Sequence, residues 1–301
     1  MTTSSPTREE ILISLSTNGY VILPSLIPPA LLSPLREAAA RTIAKARLDW
    51  PHVRVVGKQF PPWPTGARDD VWGVQHIMHP DLQEPVFAEW YGCDELVEAV
   101  TTILQCEEKD IQLELCNLLI NPHKTPFSLA WHRDAIPPAT SDAEEIELLK
   151  APRGGTQWNT ALLDDECLLV VPGSHRRART AEERRITIDD PRAPIPGELV
   201  VKLKAGDTVF YDNNILHRAV YPTNPERVTL HACMGTVGAG WERARNILQH
   251  GMEWVKEVKY DGRLEEMRGR LVRMEDEVVG KEVGYSLPEE TAETIVTMVA
   301  M

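Results

Sequence analysis

The chain has 301 residues, of which 43% are hydrophobic and 26% charged, and its formal net charge is -13. This length suits one large domain or two small ones, and the acidic balance argues against nucleic acid as a partner. No stretch reaches the roughly 18 apolar residues that a membrane span needs. The first ten residues, MTTSSPTREE, lack the apolar core of a secretory signal, so we expect a cytoplasmic protein.

The first part of the sequence, 1–110, predicts helices, one strand and a loop that lines a pocket. Apolar spacing predicts these elements at 7–17 (helix), 20–23 (strand), 28–48, 85–90 and 94–104 (helices). From 51 to 73 the sequence is rich in Pro, Gly and Trp and has no periodicity. Such a segment is typical of an ordered but irregular loop near a site.

The middle part, 111–237, predicts a core of strands. Short apolar runs separated by Pro, Gly and Asn turns occur at 111–120, 127–132, 157–163, 167–171, 199–203, 207–212, 215–220 and 227–234. Strands this short and numerous predict an antiparallel sandwich or barrel. We therefore expect a mainly β fold with helices packed outside one sheet.

The last part, 238–301, predicts a helical extension, with helical signal over 241–279 that is interrupted at Asp261 and Gly262. Its second half carries one apolar stripe at alternating helical steps, formed by Leu264, Met267, Leu271, Met274 and Val278. The outer face of the sheet or a second subunit would cover this stripe, so a homodimer is the alternative. No repeat or low-complexity linker divides the chain, and we expect a single domain over 1–301.

One basic cluster interrupts the acidic sequence. It consists of Arg176, Arg177, Arg179, Arg184 and Arg185, interleaved with Glu182 and Glu183. This mixture of charges favours a solvated loop or helix face over an anionic substrate site.

The clearest chemical signal is Trp131-His132-Arg133-Asp134 at the end of the predicted strand 127–132. Alternate strand residues point to the same face, so His132 and Asp134 project together. An imidazole, a carboxylate and a second imidazole form the facial set that leaves positions open on iron(II) for O2 and a chelating 2-oxo acid.

The second imidazole must come from elsewhere in the chain, and four candidates are present: His175, His217, His231 and His250. His217 follows the predicted strand GDTVFYD and precedes the turn at 222–225, where a strand end faces a cavity mouth, so we prefer it. His175 lies in the tight turn PGSH, which is more typical of a structural residue.

Arg227 opens the next predicted strand, RVTLHACM. Arginine binds a carboxylate with two parallel hydrogen bonds, which lysine does not match, so Arg227 is the predicted anchor for 2-oxoglutarate. Thr229 and His231 alternate onto the same face. We expect Thr229 to donate its hydroxyl to that carboxylate, whereas His231 is equally compatible with a cofactor contact and a core position.

Several sequence blocks in this order resemble the phytanoyl-CoA dioxygenase family of iron(II)- and 2-oxoglutarate-dependent oxygenases, over roughly residues 9–237. They are NGYVILPSLI, HPDLQEPVFAEW, WHRD, LLVVPGSH and AGDTVFYDNNILHRAVYPTNPERVTLHACMG. The resemblance implies a double-stranded β-helix, the jelly-roll core of cupins, within 111–237. It also implies that His132, Asp134 and His217 are the metal ligands and that Arg227 binds 2-oxoglutarate.

The chain departs from the family pattern at Asp164-Asp165-Glu166-Cys167 and in the long polar segment 135–155. Its substrate therefore does not follow from the family. The loop 51–76 carries Trp63 besides Trp72, Gln75 and His76, which predict a mixed aromatic and polar substrate pocket. An acidic chain without a polyphosphate cradle is a poor host for a CoA thioester.

We therefore expect a dioxygenase that hydroxylates, desaturates or otherwise oxidises a small organic molecule, as in natural-product tailoring. The carboxylate of Asp134 argues against halogenation, because related halogenases have a small residue there. One alternative is a zinc-dependent hydrolase, although no HExxH-type general base is present. Another is a catalytically silent cupin-like binding protein.

Overall fold

The computed structural model of the chain describes residues 5–64, 68–248 and 250–278. The α-helices within these residues are α1 (Arg8–Thr17), α2 (Pro29–Leu48), α3 (Val86–Tyr91), α4 (Asp94–Leu104), α5 (Asp142–Leu149), α6 (Ala181–Asp189), α7 (Glu242–Leu248) and α8 (Gly262–Asp276). The strands are β1 (Tyr20–Leu23), β2 (Val53–Val55), β3 (Val71–Val74), β4 (Ile111–Ile120), β5 (Phe127–Ser128), β6 (Gly155–Ala161), β7 (Leu168–Val171), β8 (Leu199–Val200), β9 (Thr208–Tyr211), β10 (Leu216–Tyr221) and β11 (Val228–Thr236).

The strands form two antiparallel sheets that face each other. The larger has seven strands in the order β1-β9-β6-β11-β4-β3-β2, and the smaller has four in the order β5-β10-β7-β8. Buried clusters join the inner faces: Trp72 and Leu119 of the larger sheet pack with Phe127, Ala219 and Tyr221 of the smaller one. The expected jelly-roll core with flanking helices is therefore confirmed.

Local sequence signals explain the first elements. The Thr7 hydroxyl accepts a hydrogen bond from the Glu10 amide at 3.3 Å, and the Glu10 carboxylate accepts one from the Thr7 amide at 2.7 Å. This capping box starts α1 where the sequence predicts it. After α1, β1 joins the edge of the larger sheet beside β9, with Tyr20 opposite Tyr211.

The prediction of an irregular loop over 51–73 is wrong in part. The segment contains β2 and most of β3, which pair with each other and extend the larger sheet next to β4. These strands are very short, and their pairing shifts register between Arg54 and Val55, so they leave no period-two pattern in the sequence. The strand expected over 127–132 is also shorter, since β5 ends at Ser128.

The apolar stripe of α8 is covered within the chain. Met267 and Leu271 are fully buried, and α8 packs against β4 on the outer face of the larger sheet. A second subunit is therefore not needed to cover the stripe. Ahead of α8, Arg243 of α7 forms a two-point ion pair with the buried Glu114 of β4, with Nε 2.8 Å from Oε1. The part of the expected extension beyond residue 278 lies outside the described residues.

Two features of the polar regions differ from expectation. The segment 135–155 contains the helix α5, which Ser141 caps by accepting a hydrogen bond from the Glu144 amide. The basic cluster is exposed at Arg176 and Arg185, but Arg179 is 3% exposed and contacts Glu145, so the expectation of a solvated face is wrong for Arg179. The sequence pattern could not show that the buried partner lies more than thirty positions away.

Candidate metal centre and co-substrate site

His132, Asp134 and His217 come together between the two sheets. The backbones of His132 and His217 form an isolated antiparallel bridge, with N–O distances of 3.0 and 3.1 Å. The Nε2 atoms of both histidines lie 3.5 Å from Oδ1 of Asp134. Among the described residues, this is the one group of three or more such side chains with ligand atoms within 4.8 Å of one another.

A hydrogen bond from Nδ1 to a backbone carbonyl oxygen fixes the orientation of each imidazole. Nδ1 of His132 lies 2.7 Å from the Ala130 carbonyl oxygen, and Nδ1 of His217 lies 2.9 Å from that of Ile215. A carbonyl oxygen only accepts hydrogen bonds, so each Nδ1 carries the proton and each Nε2 presents its lone pair to the centre of the group. This is the arrangement that supports histidine ligands in metal sites.

Asp134 is oriented by a residue that the sequence did not indicate. Gln157 of β6 donates a hydrogen bond from Nε2 to Oδ2 of Asp134 at 2.6 Å. Burial acts to raise the pKa of Asp134, but the neighbouring His217 and His132 outweigh it and the pKa falls to about 2. Burial, followed by the proximity of His132, lowers the pKa of His217 to about 4.

Arg227 is buried beside this group, at the start of β11. Its Nε donates to Asp165 Oδ2 at 3.1 Å and to the Thr229 hydroxyl at 3.3 Å, and that hydroxyl donates to the same Asp165 oxygen at 2.8 Å. The terminal nitrogens Nη1 and Nη2 are buried and have no hydrogen-bond partner in the described part of the chain. Asp165 and Thr229 thus hold the guanidinium through Nε, and the Tyr221 side chain adjoins it.

An aromatic stack supports the guanidinium. Its central carbon lies 4.9 Å from the ring centre of Tyr221, and that ring stacks on Phe127 at 4.7 Å with an interplanar angle of 3°. Trp72 packs against both rings, at 5.2 Å from Tyr221 and 5.4 Å from Phe127. Trp72, a predicted pocket residue, therefore lies behind Arg227, within a buried aromatic cluster.

Asp165 was not identified from the sequence as a site residue. It lies in the segment 164–167, where the chain departs from the family pattern, and that departure was the available signal. Its other oxygen, Oδ1, accepts from the Cys167 amide at 2.9 Å. Burial acts to raise the pKa of Asp165, but Arg227 outweighs it and the pKa is lowered.

The other histidines occupy distinct places. His175 is 8% exposed and packs against Gly19, where a Cβ would meet its Nδ1 at 2.5 Å, so it lies outside the triad. His231 hydrogen-bonds through Nδ1 to Asn159 Oδ1 at 2.9 Å. His250 contributes its backbone carbonyl, which accepts from His76 Nε2 at 3.0 Å.

The other two predicted pocket residues, Gln75 and His76, follow β3. His76 is 2% exposed, has a φ of +60°, and its amide donates to Asn117 Oδ1 at 2.9 Å. Gln75 is fully buried, and neither its Nε2 nor its Oε1 has a hydrogen-bond partner in the described residues.

The family model of phytanoyl-CoA dioxygenase (PhyH) matches residues 15–225. The chain therefore belongs to this family, as the sequence blocks predicted. The protein is accordingly an oxidoreductase of the iron- and 2-oxoglutarate-dependent oxygenase class. No curated protein sequence matches the chain. None of the helices in the described residues combines the length and apolar character that crossing a bilayer requires.

Solved structures share the fold at low sequence identity. AviO1 from Streptomyces viridochromogenes Tue57 is 19% identical with a TM-score of 0.55, over 77% of this chain and 96% of that one. EctD from S. alaskensis with 2-oxoglutarate and 5-hydroxyectoine is 18% identical with a TM-score of 0.57, over 80% of each chain. HygX from Streptomyces hygroscopicus with nickel and 2-oxoglutarate is 15% identical with a TM-score of 0.56, over 77% of this chain and 88% of that one.

Proposed function

We propose that His132, Asp134 and His217 bind iron(II) and that Arg227, positioned by Thr229, binds the far carboxylate of 2-oxoglutarate. The expectation that Thr229 donates its hydroxyl to that carboxylate is wrong, because the hydroxyl donates to Asp165 instead. The observation that carries the proposal is the pair of buried Arg227 terminal nitrogens, Nη1 and Nη2, which make no hydrogen bond to the described residues. A buried donor without a partner costs about 1–3 kcal/mol, and more when it is charged. A carboxylate satisfies both nitrogens through two parallel hydrogen bonds, so the residues present fit the co-substrate.

Asp134 and His217 can bind the metal without a change of protonation. Asp134 is ionised and His217 neutral at neutral pH, because their pKa values are about 2 and about 4. Three protein ligands leave the other positions of an octahedral ion open. Iron(II) with 2-oxoglutarate and O2 supplies the oxidising power to break a C–H bond. Asp165 and Thr229 hold the Nε edge of Arg227, so its Nη edge stays directed at the co-substrate.

The reaction we propose is hydroxylation, desaturation or a related C–H oxidation of a small organic molecule, an intermediate of natural-product biosynthesis. The carboxylate at Asp134 supports this choice, since halogenation needs that coordination position for a halide. A similar fold occurs in SnoN, the alpha-ketoglutarate-dependent epimerase from nogalamycin biosynthesis, at 19% identity and a TM-score of 0.50. Gln75, His76 and Trp72 are the proposed pocket residues, and Trp72 contributes through its packing against Tyr221 and Phe127.

The two alternative functions, a zinc-dependent hydrolase and a silent binding protein, do not explain why Arg227 is buried with two terminal nitrogens that make no hydrogen bond to the described residues. A zinc-dependent hydrolase needs a general base and a water molecule but no carboxylate anchor. A catalytically silent binding protein has no need of a metal triad whose tautomers are fixed. No observation in the described residues favours either of them.

Anaerobic titration of the apoprotein with iron(II) and then 2-oxoglutarate tests the proposal. We expect a visible metal-to-ligand charge-transfer band that requires both additions and is absent from His217→Ala and Asp134→Ala proteins. Arg41→Ala is the control, because Arg41 is 60% exposed and pairs with Glu84, which is not one of the proposed site residues. A full band in the Asp134→Ala protein, or succinate release at the unchanged rate, would contradict the assignment.

A further inference from the structure

The inner face of the larger sheet carries polar side chains beyond those of the metal and co-substrate sites. Residues directly opposite each other in antiparallel strands point to the same face. Thr229, beside Arg227, lies opposite Leu119 of β4, which lies opposite Gly73 of β3. One alternation further along β11, His231 lies opposite Asn117 of β4. Asn117 and His231 therefore share the inner face with Thr229.

Gln75 belongs to the same face. It lies two residues beyond Gly73, and a Cβ placed on Gly73 would lie 3.2 Å from Gln75 Nε2. Because glycine has no side chain, the side-chain amide of Gln75 extends into the space beside Gly73. Gln75, Asn117 and His231 thus form one polar patch, which we call the amide patch.

The amide patch is held in place by its own neighbours. Asn117 Oδ1 accepts a hydrogen bond from the His76 amide at 2.9 Å. The backbone of Gln75 makes two hydrogen bonds: its amide donates to the His52 carbonyl at 2.9 Å, and its carbonyl accepts from Trp50 Nε1 at 3.0 Å. His231 is fixed through Nδ1 by Asn159. The hydrogen-bonding groups that remain are therefore preorganised.

Those remaining groups have no partner among residues 5–64, 68–248 and 250–278. Gln75 and Asn117 are both fully buried, yet Gln75 Nε2, Gln75 Oε1 and Asn117 Nδ2 make no hydrogen bond within the described residues. Each such group destabilises the folded protein if nothing satisfies it. A stable fold tolerates this cost where a ligand or an ordered water supplies the missing partner.

The chemistry of the patch defines what fits. It offers amide donors from Gln75 and Asn117 and acceptors from Gln75 Oε1 and from His231 Nε2, which is unprotonated when Nδ1 donates to Asn159. A hydroxyl group both donates and accepts, so adjacent hydroxyls match this mixture better than a carboxylate or an ammonium group.

We propose that Gln75, Asn117 and His231 form the substrate subsite and that it recognises a neutral group with adjacent hydroxyls, such as a sugar or cyclitol ring. This inference rests on the proposed oxygenase function, because the patch shares its sheet face with the proposed co-substrate residues. It selects a substrate class that the family resemblance leaves open.

The test measures binding of myo-inositol and methyl α-D-glucopyranoside to the protein loaded with Zn(II) and 2-oxoglutarate, which prevents turnover. Ligand-observed NMR titration gives the dissociation constants, and cyclohexanol, with a single hydroxyl, is the control probe. We expect at least one polyol to bind, and Gln75→Leu and Asn117→Leu each to weaken it about tenfold or more. Gln112→Leu, at the opposite end of β4, is the control for loss of a buried amide.

The melting temperatures of the variants show whether Gln75 and Asn117 bind a ligand or only stabilise the fold. Gln75→Leu removes two buried atoms without a partner in the described residues, so it should leave the melting temperature unchanged or raise it while it weakens polyol binding. A lower melting temperature with unchanged polyol binding would mean that the amides hold ordered water only and would overturn the inference. Equal binding of cyclohexanol and polyols would also overturn the inference. So would the absence of polyol binding to a protein that still binds 2-oxoglutarate. Failure of 2-oxoglutarate itself to bind would instead refute the proposed function.

Discussion

Arg133 and Glu145 form a fully buried ion pair, with Nε 2.8 Å from Oε1 and neither side chain exposed. Arg133 lies between two proposed metal ligands, whereas Glu145 lies on α5, in the polar segment that distinguishes this chain. Arg133 also donates to the backbone carbonyls of Ser174 and Arg177, both at 3.0 Å. The pair therefore attaches the segment that carries His132 and Asp134 to α5, within the polar segment 135–155.

Glu145→Ala should strongly destabilise the protein. The substitution leaves Arg133 and Arg179, which both contact Glu145, without their buried counter-charge. Removing one partner of a buried ion pair costs about 3–5 kcal/mol. Urea unfolding measures the loss, and the exposed neighbour Glu144→Ala should stay within about 0.5 kcal/mol of the parent. Equal stability of the two variants would show that Glu145 does not stabilise the segment 132–134.

Arg227→Lys should raise the KM for 2-oxoglutarate by about tenfold or more, with a smaller effect on kcat. Lysine keeps the positive charge but loses the two parallel donors and the contact of the planar group with Tyr221. Arg227→Ala should raise the requirement further. Steady-state succinate release at varied 2-oxoglutarate gives both constants, with Arg41→Lys as the surface control. An unchanged KM in the Lys variant would remove Arg227 from the co-substrate site.

Gln157→Leu should weaken metal binding by about 10- to 100-fold, the usual effect of losing a residue that orients a ligand. Gln157 donates the 2.6 Å hydrogen bond that fixes Asp134 Oδ2. Titration of the apoprotein with cobalt(II), followed by absorption, measures the affinity without turnover. Circular dichroism should be that of the parent. Parent-like cobalt affinity would mean that Asp134 needs no support from Gln157.

Leu271→Ala should lower the free energy of unfolding by about 2–5 kcal/mol, because Leu271 is fully buried in the contact between α8 and the larger sheet. The exposed neighbour Arg273→Ala should have little effect. Since the stripe is covered within one chain, the loss should not depend on protein concentration. A midpoint that falls on dilution would show that a second subunit contributes, as in the expected alternative of a homodimer.

Several elements were predictable because their signals are local. The capping box at Thr7, the stripe on α8 and the alternation of His132 with Asp134 depend on residues within a few positions of each other. The strands β2 and β3 were missed because they are short and irregular in register. Arg179 was assigned to the surface because its partner Glu145 lies on a helix that the sequence did not indicate.

The fold class and the chemical set of an oxygenase, two imidazoles, one carboxylate and an arginine in family order, could be predicted from the sequence alone. The partners of these groups, Asp165 for Arg227 and Gln157 for Asp134, became known from the folded structure, which places no partner for the Gln75 amide among the described residues. The reason is physical. Ligand chemistry and strand alternation act over one or two residues, whereas these contacts depend on strand order and register between segments far apart in the chain.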